Sequence, residues 1–216
     1  MIAHYLIIFS LAFGASLRAQ NSESRLYAAQ SQSLLWIEGS SNMNQFRFKT
    51  SQIRGTGYLD TPPAEAGRSL ADSSQRARIK VRVSIPVRSL DGGNKLMNQD
   101  MYEALKAEVA ESIQYELLEA RLIERADSPQ GWFQIEAIGT LMIAGKIDTI
   151  AMNIKLRQLA DGRLHLKGQK LLRMTAFGVT PPSALRGLIK ANNEIVIHFD
   201  LIAAMEKRTM NPSERF

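Results

Sequence analysis

A mainly β fold, a closed antiparallel barrel of about eight strands with one or two short helices, is what this sequence predicts. Three observations predict it. Apolar and polar residues alternate in run after run. In the sharpest of these, Ile79, Val81, Val83 and Ile85 interleave with Lys80, Arg82 and Ser84, the mark of a half-buried strand. Turn signals separate the runs, and Asp161-Gly162 is the strongest of them. A helical period is clear only once, where Met97, Met101, Leu105 and Val109 recur every fourth residue.

Taken in order, residues 1–19 stand apart. MIAHYLIIFSLAFGASLRA carries an apolar run too short to cross a bilayer, then small residues and Ala19, which reads as a signal peptide cleaved before Gln20. Residues 20–32 form an N-terminal segment, 33–204 the barrel, and 205–216 a tail. Residues 33–39 and 45–50 are short strands around a turn at 40–44, with Phe46 and Phe48 on one face. Residues 60–75, DTPPAEAGRSLADSSQ, are a polar loop with the length of an inserted flap. The strand ending at Pro86 runs through a Gly92-Gly93 turn into the methionine-striped helix. Residues 112–125 fit either an extension of that helix or a strand, since Ile113, Tyr115 and Leu117 also alternate; a strand is the reading adopted.

Residues 132–143 alternate again, and 145–148 turn the chain into Ile150, Met152, Ile154 and Leu156. The Asp161-Gly162 hairpin leads to Leu164, Leu166, Leu172 and Met174. Thr180-Pro181-Pro182-Ser183 reads equally as a rim loop or as a rigid connection, and residues 184–189 as a short helix. The last strand carries Ile195, Ile197, Phe199 and Leu201.

Composition narrows the function. The 216 residues carry a net charge of +6 and no cysteine, which excludes disulfides and thiolate metal sites. The basic residues alternate along strands instead of clustering with aromatics, so nucleic acid is not the expected partner. An anionic membrane surface fits better, met by Arg78, Lys80 and Arg82 on one strand face. A plain solvated face accounts for the same residues.

Catalytic patterns are lacking. His165 and His198 fall opposite the apolar phases of their strands, no serine sits in a nucleophile-elbow turn, and no metal-ligand spacing occurs. Asp91-Gly92-Gly93 lacks the lysine and hydroxyl of a phosphate loop and reads as a turn. Asp100, Glu103 and Glu108 read as the wet side of the helix. No enzyme and no cofactor are expected.

The inward phases are the informative ones. Nine methionines serve this chain, and methionine adapts to ligands of irregular shape. Phe48, Val81, Val83, Met97, Met101, Leu105, Tyr115, Met152, Met174, Phe177 and Phe199 are the candidates for lining a ligand cavity. Ordinary core packing explains most of them equally well. Tyr102 and Tyr115 offer hydroxyls to a ligand head group or, as readily, to the backbone.

Four stretches carry a resemblance: LWIEGS at 35–40, IPVRSLDGGNKLMNQDMYEALKAE at 85–108, GTLMIAG at 139–145 and MTAFGVTPPSALRGLIKANNEIVIHFDL at 174–201. In this order the chain resembles the YceI-like family of bacterial lipid-binding barrels. The resemblance implies a lipocalin-like fold, export, and a bound isoprenoid, isoprenoid quinone or fatty-acid-like chain. One departure stands out, since Ala110-Glu111-Ser112 occupies the place where the family usually has a proline before the next strand. The expected function is therefore non-enzymatic enclosure of an elongated apolar ligand. The alternative is a stress-response or interaction module with a filled core and a basic outer face.

Overall fold

The computed structural model describes residues 25–59, 79–124, 128, 131–184 and 188–206. Among the described residues eleven strands form, and eight of them close a ring. They are β1 (Arg25–Ala29), β2 (Leu34–Ser41), β3 (Gln45–Thr50), β4 (Arg54–Leu59), β5 (Ile79–Pro86), β6 (Ser112–Glu124), β7 (Phe133–Ile143), β8 (Lys146–Gln158), β9 (Leu164–Arg173), β10 (Ser183–Ala184) and β11 (Ile189–Met205). One α-helix, α1 (Lys95–Ala104), and 3₁₀ turns at Val87–Ser89 and Met174–Phe177 complete the described elements. The predicted mainly β, antiparallel, lipocalin-like barrel is the fold observed.

The ring runs β1-β4-β5-β6-β7-β8-β9-β11 and returns from β11 to β1. Its wall is closed by the length of β11. Ala203–Met205 pair with β1, while Ala191–Asp200 pair with β2. Successive stretches of one chain thus take the same place in the wall, and β3 and β4 do likewise on the next position. This corrects the expected boundary at residue 33, because Arg25–Ala29 is a wall strand. The apolar alternation there is too short to distinguish from a linker by sequence.

The ladder between β8 and β9 covers only the stretch from Ile154↔Gly168 to Gln158↔Leu164. Beyond it, toward the end of the barrel occupied by α1, the two strands are joined by a side chain: Lys170 Nζ donates to the carbonyl of Ala151 at 2.7 Å. The helix fills a second unladdered place. Asp91 and Lys49 exchange backbone hydrogen bonds, tying the segment before α1 to β3.

Several local expectations are settled. The ambiguous segment is strand β6, which begins at Ser112 without the proline. Asn94 caps α1, its Oδ1 accepting from the amides of Leu96 and Met97. The helix ends at Ala104, and Lys106 adopts φ 55, so Val109 leaves the predicted stripe and is 84% exposed. The turn expected at 145–148 is the tighter pair Ala144-Gly145, with φ of 51 and 80, and β8 starts at Lys146. The helix expected over 184–189 does not form at its ends. Ser183–Ala184 pairs with Ile189–Lys190 as a β-hairpin, and 185–187 lie outside the described residues, as do the flap at 60–75 and Arg78.

Candidate ligand-binding site

Alternation puts one side of every strand inside the barrel, and a closed ring of eight leaves room there for side chains or for one small ligand. Among the described residues, two interior cavities stand out, and they share no lining residue. The larger, ≈ 410 Å³, lies at the helix end. Its depth is walled by Ile37, Phe46 and Phe48 from β2 and β3, Ile113 and Ile143 from β6 and β7, and Ile195 and Ile197 from β11. The helix supplies Met97, Met101, Ala104 and Leu105 as its roof. The exposed Asn44, Gln45, Asn94 and Leu96 mark the mouth. Pro182 and Ser183 also line it, so the Thr180–Ser183 stretch is a rim loop. Asp100, expected on the wet side of the helix, lines this cavity as well.

The smaller cavity, ≈ 180 Å³, lies at the far end among Leu59, Ile79, Val81, Leu122, Ile135, Leu156, Leu164 and Leu166. Along β11 the order is Ile197 beside the first cavity, Phe199 beside neither, and Leu201 beside the second. Phe199 and its neighbour across the ladder, Leu35, therefore belong to a waist between them, and Leu141 on β7 and Met152 on β8 likewise line neither cavity. Glycines opposite the rings make this waist fit. A Cβ on Gly168 would stand 2.4 Å from Phe199 Cζ, and one on Gly139 2.6 Å from Tyr115 Cζ. Each ring occupies the space of the missing side chain.

The sequence candidates thus divide three ways. Phe48, Met97, Met101, Leu105, Met174 and Phe177 line the helix-end cavity. Val81, Val83 and Tyr115 line the far one. Met152 and Phe199 pack in the core and line neither. The large aliphatic contribution of Ile37, Ile113, Ile195 and Ile197 was visible in the alternation but not singled out, because branched residues at inward phases look the same in a filled core. The existence of two compartments had no sequence signal.

The helix roof is held by polar contacts. Asn98 Oδ1 accepts from the Gly92 amide at 2.7 Å, and Asn98 Nδ2 donates to Asp91 Oδ1 at 2.8 Å. The Gly93 amide also donates to Asp91 Oδ1. The bond from Asn98, with that from Gly93, holds the Asp91 carboxyl below its ordinary range. Tyr102 Oη donates to the carbonyls of Leu90 and Arg88; its hydroxyl serves the backbone. Tyr115 Oη has no such partner, and burial pushes its pKa up to about 12.

Neither described histidine faces a cavity. On the outer wall, His198 stacks on Trp36 at 4.9 Å and lies 3.1 Å from Glu38. His165 Nε2 lies 2.6 Å from Asp200, its ring against Trp132. Arg82, on the basic strand face, is paired with Glu116 at 2.9 Å.

Comparison with known proteins agrees with this architecture. The model of the YceI-like domain matches residues 28–203, and the chain belongs to that family. No curated protein matches. Among solved structures, a polyisoprenoid binding domain from Saccharophagus degradans, described as implicated in plant cell wall breakdown, is similar at a TM-score of 0.61. It is 12% identical over 83% of this chain and 98% of that one. Burkholderia cenocepacia BcnA is similar at a TM-score of 0.55, with 16% identity over 85% of this chain and 98% of that one. At such identities the likeness is one of fold.

Proposed function

We propose that this member of the YceI-like family is an exported, non-enzymatic protein that encloses an elongated apolar ligand for storage or transport. An isoprenoid, an isoprenoid quinone or a fatty-acid-like chain fits the reading. The observation that carries it is the helix-end cavity of ≈ 410 Å³, walled by aliphatic, methionine and phenylalanine side chains with its polar residues at the mouth. A volume of that size lies in the ordinary range for ligand pockets, roughly 300–1,000 Å³. Each CH₂ taken from water into it contributes about 0.8 kcal/mol. The polyisoprenoid binding described for the S. degradans domain supports the ligand class. A filled-core interaction module is the weaker reading, since it leaves both cavities without a purpose.

Absence of catalysis is supported by the placing of His165 and His198 on the outer wall, away from any cavity. Export rests on the composition of residues 1–19, which lie outside the described structure. A membrane surface as the place of loading is favoured less by the basic strand, where Arg82 is already paired, than by the mouth. Met43, Leu96 and Leu188 are 65%, 67% and 73% exposed there. Leu188 is held beside the β2–β3 turn by a bond from Asn42 to its carbonyl. Apolar side chains at a cavity mouth let a lipid tail pass without crossing water.

The test is mass spectrometry of organic extracts from protein purified from its native host under non-denaturing conditions. A long-chain lipid in near-stoichiometric amount is expected. Clean extracts, together with failure of the delipidated protein to take up any isoprenoid, defeat the reading.

A further inference from the structure

Strand β8 is long, but only its last part has a strand on each side. Residues 154–158 pair with β9, whereas, among the described residues, 146–153 pair with β7 alone. The turn at Ala144-Gly145 fixes which backbone groups are left over. In a hairpin this tight the flanking pair, Ile143 and Lys146, exchanges hydrogen bonds, and every second pair after it does the same. Lys146, Asp148, Ile150 and Met152 therefore bond to β7. Ile147, Thr149, Ala151 and Asn153 turn their N–H and C=O groups the other way. The same alternation, started from the Leu159 amide donating to the Arg163 carbonyl, points Gln169, Leu171 and Arg173 of β9 toward β8.

Side chains occupy part of this bare edge. Lys170 Nζ donates to the Ala151 carbonyl at 2.7 Å, and the Thr149 amide donates to Asp148 Oδ1 at 2.8 Å. Both contacts stand in for those that a neighbouring strand makes. The 3₁₀ turn Met174–Phe177 packs against β8 and β9, and its Phe177 is 2% exposed within the core. The interior is thus closed behind the gap, which is a sheet edge and not a passage for lipid. Ile147 and Leu171 stand on the outer face at either side, 62% and 56% exposed.

We propose that the edge of β8 over residues 147–153 receives an extended segment of another polypeptide, added as an antiparallel strand. The chemistry of the edge selects that occupant. Alternating donors and acceptors are matched by a peptide backbone, and by neither a lipid nor a small anion. Ile147 and Leu171 give apolar ground to alternate side chains of the segment. A carboxylate on it meets Lys170 once the segment takes over the Ala151 carbonyl. Charges at Lys146 and Asp148 keep the edge from pairing with any strand it meets. Arg173, at the end of β9, lines the helix-end cavity, so the docked segment stands against the wall of that cavity.

The experiment titrates the full chain with a capped peptide that alternates valine and threonine around a central glutamate. The control is the same peptide N-methylated at alternate amides. Amide exchange at Ile147, Ala151 and Asn153 is expected to slow with the first peptide, and exchange in the β1–β4 ladder to stay unchanged. The N-methylated peptide keeps the side chains and loses the donors of one edge, so it should bind about tenfold more weakly. Ala151→Pro removes an amide outside the β7 ladder, so the fold is kept while peptide binding falls by a similar factor. Equal binding of the two peptides overturns the proposal. So does unchanged binding by a folded Ala151→Pro variant, slowed exchange elsewhere than at β8, or no binding by the wild type. A dimer of the chain that Ala151→Pro dissociates also overturns it, since a second copy then occupies the edge. If Ala151→Pro fails to fold, the two peptides on the wild type decide.

Discussion

The two ends of this barrel are walled by different physics. At the far end the wall is backbone: β1 with β4 and β11, and β8 with β9, are joined by ladder hydrogen bonds around a small cavity of branched aliphatics. At the helix end the β8–β9 ladder stops short, and there side chains finish the wall. Lys170 bridges β9 to β8, Asn98 and Asp91 latch the helix, and Met97 and Met101 form the roof. A ladder opens only by breaking many hydrogen bonds together, while a latch of a few side-chain contacts opens locally at much lower free energy. The end built to open is therefore the one with the larger cavity.

The largest expected effect breaks the separation between the ends. Phe199 packs into the waist against Gly168, and Phe199→Ala should cost about 3 kcal/mol, the low end for aromatic truncation because the ring is only partly buried. Denaturant titration measures that loss. The same variant should accept isoprenoids longer than the wild type retains, read by native mass spectrometry over a chain-length series. An unchanged length limit would show that Phe199 does not divide the interior.

Met101→Ala comes next, at about 2 kcal/mol, the low end of the range because its site already borders a cavity. The loss should be confined to the helix end. Hydrogen exchange should quicken in α1 and at Asp91, and not in the β8–β9 ladder. Equal quickening at both ends would mean the roof and the ladders open as one unit.

Asn98→Ala removes two bonds of the latch and should cost about 1 kcal/mol. Its sharper signature is kinetic: faster uptake and release of an isoprenoid probe, measured by stopped-flow, with little change in affinity. Unaltered rates would place the ligand's route elsewhere than under the helix.

Acid gives the smallest effect. Asp91 has its carboxyl pKa lowered below 3.8 by Asn98 and Gly93. Its stabilising contribution is present above the unfolded value and is lost as pH falls through the folded one. Below about pH 4 the helix should loosen before the far end does, seen as early broadening of α1 amide signals. Tyr115 sets the opposite limit. Its folded pKa is raised to about 12, so stability present below pH 10 declines as pH rises above it. Tyr115→Phe should flatten that decline.

Much of this was legible in the chain. Period-two alternation set the faces of β5, β7, β8 and β11, because a half-buried strand demands it wherever one side is core. Asp161-Gly162 placed a hairpin, since Gly162 at φ 82 favours glycine. The methionine stripe identified the roof, and Val109 misled only because Lys106 turns the helix off before it. Local periodicity reports which side of an element is apolar, and nothing more distant.

Tertiary structure alone decided the rest. Whether Phe199 and Met152 face a ligand or close a waist depends on Gly168 and on strands far away in sequence. That Arg25–Ala29 is wall and not part of an N-terminal segment ahead of the barrel depends on β11 running on to Met205. Tyr102 and Tyr115 have identical side chains, yet one hydroxyl meets carbonyls and the other meets none. The reason is common to all three. An inward phase is a property of one strand, but a cavity, a closed seam or an unmatched donor is a relation among several strands, and closing the ring brings them together.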